Sequence, residues 1–527
     1  MNARKLNTQT LVIGSGIAGL TCAIHLAQLG IETTVVTAAK EISESNTVWA
    51  QGGIIFKANE FDKEKLVQDI LEAGCHTNYL PAVELLATLG PNLVKSFLMD
   101  QVNTPFDRNE KNEYQMTREG GHSEARIVHR GDESGLAIEE SLVQFAKTLS
   151  KITFLTSHTA VNLLMTSYHA SDKSNRHGEA KCFGSFVFDQ KSNEVYPIYA
   201  KRTVLATGGI GQVFLHNTNS KYSRGDGLAL AYRAGCRLEN LEYVQFHPTT
   251  FFHASARRFL ISEALRGEGA VLLNQAGERF MFKYLPGYNH PELAPRDRVA
   301  RAIHDEMLST NAACVYLDIS HKPKDWVKER FPFVWRSCKK HGIDITEQPI
   351  PVVPGAHYHC GGVWTDLDGK TSIKNLFAAG EVASTGLHGS NRLASTSLLE
   401  GLTWGHLAAK KISSELANSS KENFPTVESW KYETAQVDPA FLTQDWLTLK
   451  NTMWNYVGLV KTDARLSRAE GILHELNRGI ESFYRRAILS DELIGLRHAS
   501  LSALLVLEAS QRNPKSLGCY LRDAIEI

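Results

Sequence analysis

An excess of either charge is missing from this chain: 57 Lys and Arg residues stand against 57 Asp and Glu in 527 positions. Such a balance supplies no global basic field, which argues against a nucleic acid or a membrane surface as partner. CxxC pairs are missing too. The eight cysteines, at positions 22, 75, 182, 236, 314, 338, 360 and 519, follow no regular ladder. Neither a zinc site nor an iron–sulfur cluster is therefore indicated, and reduced thiols in a cytoplasmic protein fit best. The opening MNARKLNTQT lacks the architecture of a secretory leader. The stretch of residues 11–30 is apolar enough to suggest a membrane span, but Gly14, Gly16, Gly19, His25 and Gln28 argue against one. It reads instead as strand, turn and helix.

What is present converges on residues 382–402, VASTGLHGSNRLASTSLLEGL. Glycines, a histidine, an arginine and small hydroxyl residues precede an apolar segment there, the pattern of a loop feeding a helix N-terminus. The free N–H groups and positive dipole of such an end suit a carboxylate, a phosphate or an anionic ring at 395–398. Arg392 adds a planar fork of donors. The alternative is a surface arginine beside an ordinary cap.

The N-terminal unit is more specific. A strand (TLVIG), the turn GSGIAG, a helix ending at Gly30 and a second strand (ETTVVT) form a dinucleotide-binding unit. Gly14 permits the tight turn, Gly16 the approach of a pyrophosphate, and Gly19 close helix–strand packing. The acid usual at the end of the second strand is absent, because Thr37 and Ala38 stand there, which leaves backbone and Thr37 to hold a ribose. In SNTVWAQGGI, residues 45–54, a Gly-Gly pair suits either close passage of a flat ligand or a simple turn. Residues 62–100 have helical periodicity. In TREGGHSEARIVH, residues 117–129, Glu119 beside Gly120 and Gly121 is the candidate for a site, while Glu124 and Arg126 are expected to be solvated.

Residues 168–196 suggest a hairpin, and KRTVLATGG gives a buried strand running into a Gly pair. Asp226 opens a helix, where an acid is also a plain dipole partner. From 238 to about 351 the chain has the character of an insertion with an aromatic core. His247 before Pro248, and Arg296 after Pro295, are expected on turns. With His357, Arg266 and Arg392 they suggest a pocket for a dianion. NLFAAGEVA offers a last buried strand with Glu381 beyond its carboxyl end, where ligands of open parallel sheets sit. Residues 421–442 look like a linker, and the tail from Trp446 is helical, with Trp454, Leu466 and Ile472 on apolar faces.

These motifs, in this order, give the chain its resemblance to the fumarate reductase and succinate dehydrogenase flavoprotein superfamily over nearly its whole length. The carriers are GSGIAG, TVWAQGG, EGGHS, VLATGG, QFHPT, SEALRGEGA, PRD, HYHCGG, FAAGEVASTGLHGSNRLASTSLLEGL and WNYVGLVKTDARL. The resemblance implies an α/β dinucleotide-binding (Rossmann-like) FAD domain in two parts, 1–237 and 353–420. It implies an inserted α+β capping domain, 238–352, and a C-terminal helical domain, 421–527. Members with covalent flavin carry a histidine where Asn46 stands, so non-covalent FAD is expected. Members acting on succinate or fumarate carry an uncharged residue where Glu119 stands, so the chain is most similar to the aspartate-oxidising branch.

Physical logic supports that last step: a buried substrate ammonium without an anion costs on the order of several kcal/mol. The resemblance implies that Arg296 transfers protons, through acids such as Glu263, with Glu119 and Arg266 also catalytic. His247, Ser262, His357 and Arg392 would bind the substrate. FAD would be held by Gly14, Ser15, Gly16, Ile17, Ala18 and Gly19, by Thr37 and Ala38, and by Asn46, Thr47, Val48, Trp49, Ala50, Gln51, Gly52 and Gly53. Ala160, Val161, Asp226, Glu381, Ser397 and Leu398 complete that set. The implied reaction is oxidation of L-aspartate to iminoaspartate, hydride passing to the flavin, with oxygen (giving hydrogen peroxide) or fumarate as acceptor. It opens NAD biosynthesis through quinolinate, with quinolinate synthase as the next enzyme. The alternative is a soluble fumarate reductase or the flavoprotein subunit of a succinate dehydrogenase. A tRNA-modifying or structural flavoprotein is disfavoured by the dicarboxylate residues.

Overall fold

The Leu6–Ile13 strand is buried on both faces over its second half, as a parallel strand covered by helices must be. In the computed structural model, which describes residues 4–59, 62–254, 259–418 and 424–523, it lies inside a seven-stranded sheet. Thr33–Val36 and then Ile152–Leu155 extend the sheet on one side, both parallel. Glu194–Leu205 follows on the other side, also parallel. That strand serves two further neighbours. Its residues 194–199 pair antiparallel with Cys182–Asp189, which pairs in turn with His158–Met165, and residues 203–205 pair parallel with Leu376–Ala378. The chain thus leaves the sheet after 205 and returns at 376, which brings several loops to the carboxyl ends of the parallel strands.

The Ile17–Gln28 and Thr396–Ala417 helices cross at close range over this sheet. A Cβ on Gly405 would stand 2.6 Å from the Ala18 carbonyl oxygen, so the approach requires glycine. A second, antiparallel sheet orders Val244–Phe251, Ile350–His359, Val315–Asp318 and Val271–Leu273. Phe251, Phe259, Phe280 and Phe331 are buried in its apolar cluster. His247 and His357, expected near turns, lie within these strands. Pro248 is tolerated because the register shifts between His247 and Thr250, where a ladder hydrogen bond is not required. Arg296 is the first residue of the Arg296–Thr310 helix rather than part of a turn, since Pro295 suits the position before it.

The helices Pro439–Tyr456, Asp463–Tyr484 and Asp491–Arg512 share one apolar cluster with the antiparallel strands: Leu449, Met453, Leu473 and Leu504 pack with Val161, Phe186 and Phe246. Leu473, not Ile472, faces that core. The Asp491–Arg512 helix has the length and apolarity of a membrane span, but 78% of its apolar window is buried inside the molecule. Of the expected linker, residues 421–423 and the boundary at 420 fall outside the described residues. The rest is a strap: Phe424 stacks on Tyr199 at 5.6 Å, Trp430 meets Phe186 at 5.4 Å, and Tyr432 Oη bonds both backbone groups of Val195 at 3.1 Å. Its aromatic residues, sparse among polar ones, anchor it.

Arg126 is fully buried, contrary to the solvated position expected for it. Its guanidinium donates to Asp62 at 2.9 and 3.0 Å and to Asp69 at 2.5 Å, while Asp69 also accepts from the Ser123 N–H and hydroxyl. These bonds fasten the 117–129 loop to the Asp62–Ala73 helix. Arg126→Met strands two carboxylates without a cation and should cost about 3–5 kcal/mol. A lowered urea midpoint measures it; an unchanged midpoint would refute the triad's structural role.

Candidate active site

The loops at the carboxyl ends of the parallel strands line a cleft. Its floor is the first glycine turn. Gly14 has φ +119°, and a Cβ there would lie 2.0 Å from the Ala206 oxygen, so no other residue fits. Gly16 brings Thr47 close enough for its Oγ1 to accept the Ile17 N–H at 3.0 Å. Gly19 lies off the walls, its absent side chain giving the Gly14 carbonyl room. Gly16, as N-cap of the Ile17–Gln28 helix, makes no cap bond of its own, and Thr47 takes the first helical N–H.

Around the floor stand Ser15, Ile17, Ala18, Thr37, Asn46, Thr47, Trp49, Ala50, Glu381, Ser397 and Leu398, all expected from the sequence. Several other expected positions are placed elsewhere. Val48 and Ala38 do not reach the walls, and the Ala38 carbonyl accepts from Gln190 at 2.9 Å. Gln51 and Gly52 line an adjoining cavity instead. The absent Gly52 side chain makes room for Glu119, since a Cβ there would meet Glu119 Oε1 at 2.1 Å; one on Gly53 would meet the Val128 oxygen at 2.3 Å. The Gly-Gly pair therefore yields to protein neighbours. Ala160 and Val161 lie in the sheet with their carbonyls bound by His498 and Arg233. Asp226 is satisfied by Arg224 at 2.8 Å, and Arg224 bridges on to Asp491. The wall also includes Thr207, Tyr358 and Gly380, which lie within the quoted motifs, and Glu44, Asn219 and Ser223, which were not singled out.

At the far wall, Ser395 precedes the Thr396–Ala417 helix with φ 56° and makes no cap bond. Its hydroxyl donates instead to Glu119 Oε2 at 2.6 Å. The first-turn residues Ser397 and Leu398 border the cleft. Two helix N-termini whose N-cap residues make no cap bond, glycine-only contacts and a wall mixing Ile17, Leu398 and small polar residues fit FAD, whose pyrophosphate and ring each need donors of this kind.

The charged pocket adjoins the cleft, with Glu119, Ser262 and Glu263 on the wall of the second cavity and His357 on the wall of the first. Ser262 is the N-cap of the Glu263–Gly267 helix. Arg296 Nε donates to Glu263 Oε2 at 2.6 Å, and Arg266 Nη2 lies 3.8 Å from the same oxygen. Burial alone would raise the Glu263 pKa, but the two guanidinium groups outweigh it and hold that carboxyl at about 2. It is therefore ionised and paired with Arg296, the two residues expected to act together in proton transfer. Glu119 behaves oppositely: burial lifts its pKa, only partly countered by the Ser395 hydrogen bond and by Arg296.

Arg392 is buried rather than at the surface. It donates to Ser397 Oγ at 3.2 Å and Gln245 Oε1 at 3.0 Å and lies 4.8 Å from the Tyr358 ring centroid. Gln245 is fixed in turn by Asn391 and the Arg392 carbonyl, and Tyr358 by Glu400 at 2.6 Å. Neither Gln245 nor Tyr358 was singled out from the sequence, though both lie within motifs quoted above. The His247 and His357 rings are 5.4 Å apart. Burial first, then the surrounding arginines, push both pKa values well below the ordinary histidine value, so both rings are neutral donors.

Several buried donors here have no protein acceptor: His247 Nε2, Arg296 Nη1, Arg266 Nε and Arg392 Nε. Unpaired buried donors are costly, so the pocket is built for an anionic ligand with several acceptor oxygens. A family model described as FAD binding domain matches residues 9–398. The L-aspartate oxidase of Pseudomonas aeruginosa is 41% identical to the chain, over 97% of this chain and 94% of that protein. A chloroplastic L-aspartate oxidase of Oryza sativa subsp. japonica is 37% identical over 97% of this chain and 81% of its own length. Among solved structures, the quinol fumarate reductase FrdA of E. coli superposes with a TM-score of 0.88 at 26% identity, covering 98% of this chain and 91% of that one. Sdh1 of Mycobacterium smegmatis superposes with a TM-score of 0.83 at 28% identity, covering 99% and 89%.

Proposed function

The chain belongs to the L-aspartate oxidase family of FAD-binding flavoproteins, with the fold of the fumarate reductase and succinate dehydrogenase flavoproteins, and on that premise we propose that it oxidises L-aspartate to iminoaspartate. The observation that carries the choice of substrate is the charge of the pocket. Arg266, Arg296 and Arg392 set three positive charges against the carboxylates of Glu119 and Glu263, and the histidines are neutral, which leaves one positive charge. Aspartate, with two carboxylates and one ammonium, carries one net negative charge and balances it. Succinate or fumarate carries two and leaves the pocket negative. A net charge held in a buried site costs several kcal/mol, so the balance discriminates.

Arg392, Arg266 and the two histidines hold the substrate carboxylates. The Glu119 carboxylate pairs with the ammonium and takes one of its protons, a role suited to a carboxyl that burial has made more basic. Arg296, kept charged by Glu263, fixes the orientation of the reacting carbon through its free Nη1. FAD, when bound, supplies the two-electron acceptor for the Cα hydride. The Cα–N single bond becomes a double bond, and the electrons pass to oxygen, giving hydrogen peroxide, or to fumarate, giving succinate. The product then enters the cytoplasmic route to NAD, with quinolinate synthase next. The second sheet, whose strands run from Val244 to His359, caps the pocket, because it carries His247 and His357 and leads into Arg266 and Arg296.

Anaerobic mixing tests the proposal: aspartate should bleach the flavin absorbance, and succinate should do so far more slowly. Bleaching by succinate alone would assign the chain to succinate or fumarate chemistry. Asn46 offers no histidyl nitrogen, and its Oδ1 is occupied in accepting the Ser220 N–H at 2.9 Å. The flavin should therefore appear in the supernatant after acid precipitation; flavin remaining with the pellet would count against non-covalent binding.

A further inference from the structure

A second pair of arginines with unpartnered donors lies where the C-terminal helices meet the antiparallel strands, and neither lines the cleft or the charged pocket. Arg233, in the last turn of the Asp226–Ala234 helix, donates Nε to Asn162 Oδ1 at 3.1 Å and Nη2 to the Val161 carbonyl at 3.4 Å. Nη2 also donates to His498 Nδ1 at 2.7 Å. That imidazole bonds the Ala160 carbonyl through Nε2 at 3.1 Å, so Nε2 carries the proton, Nδ1 is the acceptor and the ring is neutral. Among the described residues Arg233 forms no salt bridge with a carboxylate; Asp226 acts on it only at longer range.

Arg497, on the Asp491–Arg512 helix, gives Nε and Nη2 to Glu481 at 2.6 and 3.2 Å and stacks 4.1 Å above the Tyr484 ring centroid. Among the described residues the Nη1 atoms of Arg233 and Arg497 are both buried without a hydrogen-bond acceptor. Both arginines border one cavity, together with Asn162, Leu163, Tyr168, His169 and Leu230. Asp226, Asp491 and Glu481 balance the charges of Arg224, Arg233 and Arg497, but they leave one N–H group on each of Arg233 and Arg497 without an acceptor. Burial, and then repulsion from Arg497, pull the Arg233 pKa down to about 10, a strain that an anion between the two would relieve.

We propose that this cavity binds a small oxyanion of the phosphate class, gripped by the Nη1 groups of Arg233 and Arg497. Paired Nη–H donors match such oxygens. The bound ion joins the Asp226–Ala234 helix, the His158–Met165 strand and the C-terminal helices, so it acts as a clamp on the tertiary structure.

Equilibrium dialysis of the FAD-loaded protein against labelled inorganic phosphate tests this, with saturating succinate occupying the dicarboxylate pocket and chloride matching ionic strength. One phosphate per chain is expected, displaced by sulfate. Displacement by glycerol phosphate as well would identify a phosphate monoester as an admissible source, whereas its failure to compete would restrict the site to the free ion. Arg233→Gln and Arg497→Gln, checked for folding by circular dichroism and flavin retention, should each weaken binding about tenfold or more. Should either fail to fold, Arg233→Lys and Arg497→Lys keep the charge without the fork and should bind several-fold more weakly. Absence of stoichiometric phosphate above the chloride control, or unchanged affinity in the folded variants, would overturn the proposal.

Discussion

Arg296→Gln should reduce aspartate oxidation and fumarate reduction together, by about 10²–10³-fold or more in kcat/KM, with FAD content unchanged. The expectation follows from the pair that Arg296 forms with Glu263 at 2.6 Å. Removing one partner of a buried pair leaves the other uncompensated, a loss of about 3–5 kcal/mol, which is this range of rates if it falls on the substrate complex. The effect spares neither substrate, because the guanidinium addresses features that aspartate and fumarate share. Glu263 is held at about 2 by Arg296 and Arg266; without Arg296 it should become less acidic. Wild-type rates in a folded, flavin-loaded Arg296→Gln protein would remove this residue from the chemistry.

Glu119→Gln should instead separate the two substrates. The variant keeps the size of the side chain and its capacity to accept from Ser395, but the pocket gains one positive charge. Aspartate then leaves the pocket positive and its ammonium unpaired, a loss of about 2–4 kcal/mol, or roughly 30-fold to several hundred-fold in kcat/KM. A dicarboxylate dianion now balances the pocket, so fumarate reduction should hold or improve. The pH profile gives an independent check. Because burial raises the Glu119 pKa, the ionised form that accepts the proton is lost as pH falls through a value above the ordinary glutamate pKa of about 4.3. The acid limb of kcat/KM for aspartate should sit in that raised range in wild type and vanish in the variant. Equal losses for aspartate and fumarate, with the limb unchanged, would make Glu119 structural and withdraw the charge-balance account of specificity.

The residues expected to hold a flavin and a dicarboxylate were legible because their signals are local. The GSGIAG turn needs glycine at fixed intervals, and the geometry that demands it, Gly14 against the Ala206 carbonyl, follows from a strand–turn–helix spacing written into a few consecutive positions. The same holds for the helix that starts after Ser395. Local pattern also misled. His247 and His357 sit next to prolines or glycines and read as turn residues, yet both belong to strands, because a register shift absorbs Pro248 and the partner strands override local preference. Arg126 read as a solvated charge because nothing nearby in sequence answers it, and its partners Asp62 and Asp69 lie on a separate helix.

The sequence by itself determined which chemical groups are available: three arginines, two histidines, two glutamates and a nucleotide-binding turn, each marked by a short motif. Only the tertiary structure decided what they do together. Glu263 is strongly acidic and Glu119 is not, although both are glutamates near glycines, because one faces two guanidinium groups and the other is chiefly desolvated. Ser395 serves Glu119 rather than its own helix, and Gly52 makes room for that carboxylate rather than for a ligand. Charge balance in a buried pocket is a sum over residues brought together from positions 119 to 392. Coulomb interactions and desolvation depend on distance and burial, not on order along the chain, so no local spacing encodes them.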